Sequence, residues 1–260
     1  MALVRPLTLK GKLAIVTGAS RGLGADMAWN LACRGANICL TYVSEKSTAA
    51  AQELAAKIKA LPHKPSVYAC RADVSTIDGP KQIIDQLLEA TGNNLAVNIL
   101  VNNAGVERVK SLAELSMDDY DAVFNLNVRG LILMTQAVLP YLQPKGRVIN
   151  ISSVGSREGF RNLGLYCASK AAVEGLTRVW AMELGHNGTT VNAVNPGPVQ
   201  TELLDNIPKE IVDMQKKLTA VENRLGQPEE VSDIVSWLAG DESGWISGQA
   251  ISASGGYAMY

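Results

Sequence analysis

The sequence contains few of the residues that build metal centres and disulfide frameworks. Among 260 residues there are two histidines, and aromatic residues make up 5%. The four cysteines stand far apart, with no Cys-x-x-Cys pair and no neighbouring histidine: Cys33, Cys39, Cys70 and Cys167. We therefore expect buried reduced thiols rather than disulfides or a zinc site, and we assign no chemistry to either histidine.

Long runs of like charge and long apolar runs are also missing. Lys and Arg number 24 against 25 Asp and Glu, so the formal net charge is -1. This balance favours neither a nucleic-acid nor a membrane partner. The apolar runs have the length of strands, and the N-terminus has no segment like the apolar core of a signal peptide. We expect a cytoplasmic location.

Strand-like and helix-like segments alternate along the chain, of which 47% is hydrophobic. Short apolar runs predict seven strands, at 12–17, 36–42, 66–72, 97–101, 146–151, 189–194 and 246–252. Helical patterns predict helices at 25–34, 44–60, 80–91, 117–141, 164–186 and 228–239. This order predicts one α/β domain over 1–260, with a doubly wound, Rossmann-type parallel sheet covered by helices on both faces. Segment 200–224 has weak periodicity, and we interpret it as a mobile substrate lid.

A glycine-rich turn joins the first predicted strand to the first helix. Gly18, Gly22 and Gly24 follow the spacing G-x-x-x-G-x-G, which differs from the dinucleotide pattern G-x-G-x-x-G. Such glycines let the backbone approach a pyrophosphate at a helix N-terminus. A plain strand-to-helix turn is the alternative.

The end of the second predicted strand bears on the choice of cofactor. An acidic residue there would accept from the ribose hydroxyls and repel a 2′-phosphate. Here the tip, Thr41 to Ser44, is uncharged, and Arg21 stands in the glycine turn. The pattern predicts NADP(H), although Glu45 lies just beyond the tip.

A tyrosine and a lysine stand four residues apart in the predicted helix 164–186. Tyr166 and Lys170 would lie on one face, and Ser153 stands thirteen positions before Tyr166. Tyrosine ionises near pH 10, so proton exchange near neutrality requires lowering its pKa by ~3 units, roughly 4 kcal/mol. A fixed lysine charge could do this. The alternative is an amphipathic helix with no catalytic function.

Two further motifs place polar residues among apolar ones. Asn102 to Gly105 ends the fourth predicted strand with small residues, which suits either a cofactor across the sheet or an ordinary turn. Asn125 and Asn127 interrupt the apolar stretch of helix 117–141. Buried asparagines are costly unless they are hydrogen-bonded, so they bind neighbouring backbone or a group in the site.

These motifs, in this order, resemble the short-chain dehydrogenase/reductase family from Leu9 to the C-terminus. The resemblance rests on Thr17 to Gly24, Asp73-Val74, Asn102 to Gly105, Asn127, Ser153, Tyr166 to Lys170 and Pro196-Gly197. It implies that Tyr166 is the acid/base, that Lys170 lowers its pKa and holds the nicotinamide ribose, that Ser153 orients the carbonyl, and that Asn127 anchors a relay water. More loosely, the chain is similar to fungal polyketide-type carbonyl reductases.

The resemblance also implies a set of cofactor contacts. They are Gly18, Ser20, Arg21, Gly22, Leu23, Tyr42, Ser44, Asp73, Val74, Asn103, Ala104, Gly105, Tyr166, Lys170, Pro196, Gly197, Val199 and Thr201. It further implies a small carbonyl or alcohol substrate and a homotetramer or homodimer. Reduction of a C=N or C=C bond and a non-catalytic dinucleotide-binding scaffold remain the alternatives.

Overall fold

The computed structural model describes residues 6–201 and 209–260, and its centre is a sheet of seven parallel strands. The strands are β1 (Leu13–Val16), β2 (Asn37–Tyr42), β3 (Val67–Arg71), β4 (Val97–Asn102), β5 (Leu142–Ile151), β6 (Thr190–Pro196) and β7 (Ala250–Ala253). Their spatial order is 3-2-1-4-5-6-7, and every neighbouring pair is parallel. The predicted seven-stranded doubly wound sheet is confirmed.

Helices cover both faces of this sheet. They are α1 (Gly22–Cys33), α2 (Thr48–Lys59), α3 (Gly79–Ala90), α4 (Met117–Phe124), α5 (Leu131–Val138), α6 (Gly164–Leu184), α7 (Lys209–Leu218) and α8 (Pro228–Leu238). Successive strand residues point to opposite faces. Accordingly, Ala14 and Val16 pack with α1, α2 and α8, whereas Leu13 and Ile15 pack with α3 and α5.

The predicted helix 117–141 is divided into several elements. Between α4 and α5, a π-helical turn spans Asn125–Gly130, and a 3-10 turn, Leu139–Tyr141, ends the segment. The whole stretch Met117–Tyr141 is long and apolar enough to cross a membrane by length and composition. Its residues Val123, Leu131, Met134 and Val138 are buried inside the protein. Packing on the sheet therefore accounts for part of this hydropathy.

Two predicted segments differ from the structure. The last strand begins at Ala250 rather than at 246, because Gly248, at a positive φ of 75°, turns the chain and donates its N–H to the carbonyl of Val191. Within 200–224, predicted as irregular, helix α7 spans Lys209–Leu218. One face of this helix carries the apolar residues Ile211, Met214 and Leu218. The sequence therefore contains a helical apolar pattern here, but a short one.

The predicted lid falls partly outside the described residues, which omit 202–208. The described remainder includes α7, whose apolar residues Ile211, Met214 and Leu218 are exposed. The lid stays a prediction.

Candidate active site

The predicted site residues gather at one edge of the sheet. Because all strands are parallel, their carboxyl ends share that edge, and ligands of such sheets bind there. The glycine turn follows β1, Ser44 follows β2, Asp73 follows β3, Asn103 follows β4, Ser153 follows β5 and Gly197 follows β6. Helix α6 brings Tyr166 and Lys170 to the same edge.

The glycine turn is held tightly against the end of β4. Thr17 Oγ1 accepts the backbone N–H groups of Asn103 at 2.9 Å and Ala104 at 3.0 Å, and Asn103 Nδ2 donates to Thr17 O at 2.8 Å. At Gly24, a Cβ would lie 2.3 Å from the carbonyl oxygen of Gly18, so only glycine fits. This packing leaves Arg21 exposed where α1 begins.

At the tip of β2 the charge of the one acidic residue is balanced. The Glu45 carboxylate forms an ion pair with Arg71 at the end of β3. Tyr42 is buried, and Ser44 Oγ lies 2.9 Å from Ser47 Oγ. Arg21 is exposed in the glycine turn. Together, these residues fit a cofactor that carries a 2′-phosphate.

The side chains of Ser153 and Tyr166 lie close enough for the serine to lower the pKa of the tyrosine. Ser153 Oγ also accepts the N–H of Gly155 at 3.0 Å, which fixes the serine at the start of a 3-10 turn, Val154–Ser156. Ser153 is buried and Tyr166 is half-buried. Two hydroxyl groups are thus placed beside each other, within reach of one oxygen atom of a substrate.

Lys170 lies deeper, one helical turn from Tyr166. Its Nζ donates to Ile151 O at 2.7 Å and lies 5.7 Å from the centre of the Tyr166 ring. At Gly105, a Cβ would lie 3.4 Å from Lys170 Nζ and 3.3 Å from Asn127 Oδ1. The structure therefore brings Lys170, Asn127 and Gly105 together.

Asn127 sits in the π-helical turn and binds neighbouring backbone. Its Nδ2 donates to Val106 O at 2.9 Å and to Ser169 Oγ at 3.0 Å, and its Oδ1 accepts the N–H of Val106 at 2.8 Å. The side chain thus anchors the segment after Gly105 to the Tyr166 helix. Its implied contact with a relay water stays a prediction.

Burial sets the ionisation of the two central groups. It raises the pKa of Tyr166 to about 12, although the hydrogen bond with Ser153 lowers this pKa in part. Burial also lowers the pKa of Lys170 to about 8. The ammonium of Lys170 is directed at Ile151 O. The implied lowering of the tyrosine pKa by this charge stays a prediction.

A family model described as enoyl-(acyl carrier protein) reductase matches residues 18–258. The short-chain dehydrogenase/reductase FrzI of Cladobotryum sp. is 38% identical over 258 residues, which cover 96% of this chain and 97% of FrzI. Hydroxynaphthalene reductase-like protein Arp2 of Metarhizium anisopliae is 35% identical over 264 residues, covering 96% of both chains.

The chain belongs to the short-chain dehydrogenase/reductase family. Solved members share its fold closely. A short chain dehydrogenase from Burkholderia cenocepacia in complex with NADP has a TM-score of 0.87 at 38% identity, covering 96% of this chain and 99% of that one. The angucycline C-6 ketoreductase LanV with bound NADP has a TM-score of 0.89 at 30% identity, covering 96% of both. Both neighbours hold the cofactor predicted here.

The remaining predicted contacts of this family member occupy the rim of the site. Asp73 is half-buried, and its Oδ1 accepts the N–H of Ser75 at 2.9 Å, while Val74 is buried. Pro196, the last residue of β6, and Val199 beyond it are buried, and Gly197 and Thr201 are partly exposed. A Cβ at Gly197 would lie 2.8 Å from Ser254 Cβ, so the glycine permits the close approach of the segment after β7.

Sequence reasoning missed a polar chain under the site. Asn102 Nδ2 donates to Thr135 Oγ1 at 3.0 Å and to Asn150 Oδ1 at 2.9 Å, and Asn150 Nδ2 donates to Thr177 Oγ1 at 2.9 Å. These bonds join β4 and β5 to α5 and α6. The available signal was the asparagine at position 150, inside an apolar strand.

The cysteines are free thiols. Cys39 and Cys70 are buried, with their sulfur atoms 3.7 Å apart, and Cys33 and Cys167 are half-buried. Over residues 6–201 and 209–260, no three His, Cys, Asp or Glu side chains gather as a metal site would require.

Proposed function

We propose that this family member is an NADPH-dependent reductase that acts on the carbonyl group of a small organic substrate. The observation that carries the proposal is the convergence of Ser153, Tyr166 and Lys170 at the carboxyl edge of the sheet. NADP(H), when bound, supplies the hydride. The glycine turn, Arg21 and Ser44 would hold its phosphates, and Lys170 would hold the nicotinamide ribose.

The protein's own part is to position the carbonyl and supply a proton. Ser153 and Tyr166 would both donate hydrogen bonds to the carbonyl oxygen, which stabilises the negative charge that develops there. Tyr166 would then give its proton to that oxygen. Because burial raises its pKa to about 12, Tyr166 is protonated at neutral pH. A protonated phenol suits reduction of a ketone better than oxidation of an alcohol.

Aromatic ketones are the substrate class that we favour. The names of two similar proteins, a hydroxynaphthalene reductase-like protein and an angucycline C-6 ketoreductase, refer to fused aromatic rings. In this chain, Phe160 and Tyr257 place their rings 6.4 Å apart between the segment after Ser153 and the C-terminus. Such rings would stack on an aromatic substrate.

Reduction of a C=C bond is the second candidate, because the matching family model carries an enoyl-reductase description. A panel separates the candidates under steady-state conditions with NADPH: 2-tetralone as a ketone whose ring is fused to benzene, 2-decalone as its saturated counterpart, 2-cyclohexenone for C=C and 3,4-dihydroisoquinoline for C=N. We expect 2-tetralone to have the highest kcat/KM. Preference for alkene reduction in 2-cyclohexenone would contradict the proposal.

The decisive variant is Tyr166→Phe, which keeps the ring and removes only the proton donor. We expect turnover of 2-tetralone to fall at least ~10²-fold, the usual contribution of general-acid catalysis, with NADPH affinity close to that of the parent. Tyr68→Phe, the same change on β3 away from the site, is the control and should leave turnover unchanged. If Tyr166→Phe keeps more than about a tenth of parent turnover, the proton donor lies elsewhere, or the chain is a scaffold.

A further inference from the structure

A buried carboxylate that the proposed reaction does not use lies one helical turn beyond Lys170. Glu174 is 5% exposed, and its two oxygens accept hydrogen bonds from three side chains. The Ser156 hydroxyl and Asn195 Nδ2, at 2.5 Å, donate to Oε1, and Arg157 Nε donates to Oε2 at 2.9 Å. A buried charge is costly unless it is paired in this way.

The donors come from segments that border the site. Ser156 and Arg157 follow Ser153 directly: Ser156 N donates to Ser153 O at 3.0 Å, and Ser156 Oγ lies 2.7 Å from the same oxygen. Asn195 lies in β6, just before Pro196-Gly197. Glu174 thus joins three pieces: the Tyr166 helix, the turn that begins at Ser153 and the end of β6.

The C-terminal residue closes this network. The Arg157 guanidinium carbon lies 4.4 Å from the centre of the Tyr260 ring, and Asn195 Nδ2 lies 3.3 Å from the Tyr260 hydroxyl. Burial raises the pKa of Glu174, but the hydrogen bonds from Ser156, Asn195 and Arg157 outweigh it and leave the pKa below its usual value. The carboxylate is therefore charged at neutral pH and attracts all three donors.

We propose that Glu174 is a positioning residue that holds Ser153 beside Tyr166. Just before Ser153 in the chain, the Ser152 hydroxyl donates to Lys170 O at 3.0 Å. Three residues after Ser153, the Ser156 hydroxyl donates to the Glu174 carboxylate. Both anchors lie on α6, the helix that carries Tyr166, so the serine is fixed to this helix from two sides. This inference rests on the proposed function, because it assigns a purpose to the Ser153–Tyr166 geometry.

Glu174→Gln tests the inference because an amide cannot replace the carboxylate here. Both carboxylate oxygens accept, so the amide NH₂ must face either Arg157 or the pair formed by Ser156 and Asn195. We expect the Ser153 turn to shift, and a misplacement of the order of 1 Å costs about 10²-fold in kcat. NADPH affinity should remain close to that of the parent, because the glycine turn and Arg21 are untouched.

The matched control is Asp233→Asn. Asp233 also accepts from an asparagine and an arginine, Asn30 at 2.9 Å and Arg34 at 3.2 Å, but it joins α8 to α1. Its variant should lose some stability and keep the parent kcat. A loss of kcat in Glu174→Gln at similar melting temperature then reports on position rather than on general destabilisation.

A double-mutant cycle with Ser153→Ala distinguishes an effect of Glu174 through Ser153 from a merely structural role. If Glu174 acts through Ser153, kcat of Glu174→Gln/Ser153→Ala equals that of Ser153→Ala alone. Ser156→Ala, which removes the connecting hydroxyl, should show the same loss and the same non-additivity. If Glu174→Gln does not fold, the cycle with Ser156→Ala decides by the same criterion.

Two results would overturn the inference. One is parent-like kcat in Glu174→Gln, or in Ser156→Ala, while Tyr166→Phe is inactive. The other is a loss that adds in full to that of Ser153→Ala, or that accompanies an equal loss of NADPH affinity. If Tyr166→Phe itself stays active, the proposed function fails first, so the two failures are distinguishable.

Discussion

Lys170 carries a buried charge that costs stability in this site. Its ammonium is almost fully buried and has one backbone acceptor, Ile151 O. Burial of a charge lowers the pKa of a lysine because the neutral form is favoured. The proposed reaction needs this charge beside the nicotinamide ribose, so the site trades stability for function.

Lys170→Met is expected to stabilise the protein and to impair it as an enzyme. The change keeps the chain length and removes the buried charge. A shift from 10.5 to about 8 corresponds to roughly 3 kcal/mol in the free energy of unfolding, less the lost hydrogen bond to Ile151 O. Turnover and NADPH affinity should both fall, because the variant lacks the group proposed to hold the ribose.

The pH dependence distinguishes this explanation from better packing. Below about pH 8, lysine is charged in both states, so the parent bears the full penalty. Between about 8 and 10.5 the unfolded chain binds more protons, so parent stability rises with pH. Urea unfolding at stepwise pH should therefore show the advantage of Lys170→Met shrinking across this window. An advantage that is constant with pH would exclude the electrostatic cause.

Most of the central residues could be predicted from the sequence, but their ionisation could not. Tyr166 and Lys170 are local in sequence, and their spacing alone places them on one helical face. The raised pKa of Tyr166 depends mainly on how deeply the phenol is buried, which the spacing does not show. Glu174 was also missed, because its three donors come from segments that are distant in the chain.

At the scale of single elements, the π-helical turn Asn125–Gly130 is the irregular feature that shapes the site. It presents Asn127 to Val106 and lets Gly130 approach the end of β3. A Cβ at Gly130 would lie 2.7 Å from Val74 O, which is backbone and cannot move aside easily. π-helical turns inside longer helices frequently occur at functional sites.

Gly130→Ala should therefore destabilise the protein by about 1–3 kcal/mol, the usual cost of overpacking. Gly175→Ala, in α6, is a matched change, because there the nearest atom to a Cβ is Arg178 Nη2 at 4.0 Å. This second variant should be stabilised by roughly 0.5–1 kcal/mol through reduced backbone entropy of the unfolded chain. Chemical denaturation measures both, and equal effects of the two changes would contradict the steric argument.

Elements with a strong apolar pattern were predictable, whereas short or tertiary features were not. The first six strands lie within a few residues of their predictions, because each contains a short apolar run. Strand β7 was placed too early, since apolar Ile246 precedes the turn at Gly248. Helix α7 was missed because its periodic pattern spans only ten residues. A π-helical turn has no sequence signature apart from polar Asn125 and Asn127.

At the scale of the whole molecule, the field around the cofactor site sets the choice between NADP(H) and NAD(H). Arg21 is the exposed cation of the glycine turn, and Glu45 is paired with Arg71. Arg21→Ala should weaken NADPH binding by about 10- to 100-fold, the worth of a hydrogen bond between charged groups, and leave NADH binding nearly unchanged. The control is Arg178→Ala, which removes an arginine of helix α6 instead of the one in the glycine turn. Titration by nicotinamide fluorescence measures the affinities, and an equal loss for both cofactors would exclude a role at the 2′-phosphate.

The predicted homotetramer concerns the outer faces of the long helical segments 117–141 and 164–186. Several apolar side chains on them are exposed: Met117 by 72%, Tyr120 by 41%, Leu139 by 40%, Val179 by 53% and Met182 by 86%. We predict that these faces pair with their copies across a two-fold axis, which would bury them. The alternative, that the helices use up their apolar faces within the chain, accounts for their inner residues but leaves these side chains unexplained.

Met182→Glu tests this arrangement because a two-fold axis brings the same position of both copies close together. Two carboxylates would then repel each other inside an apolar contact, and we expect the mass to fall from the tetramer to a dimer or monomer. Ile77→Glu, at a residue that is 72% exposed but outside both segments, should leave the mass unchanged. Light scattering during size-exclusion chromatography gives the masses relative to the 27.7 kDa chain. A parent protein that is monomeric at micromolar concentration would reject the tetramer. If the parent is a tetramer and Met182→Glu is one too, the interface does not lie on this helix face.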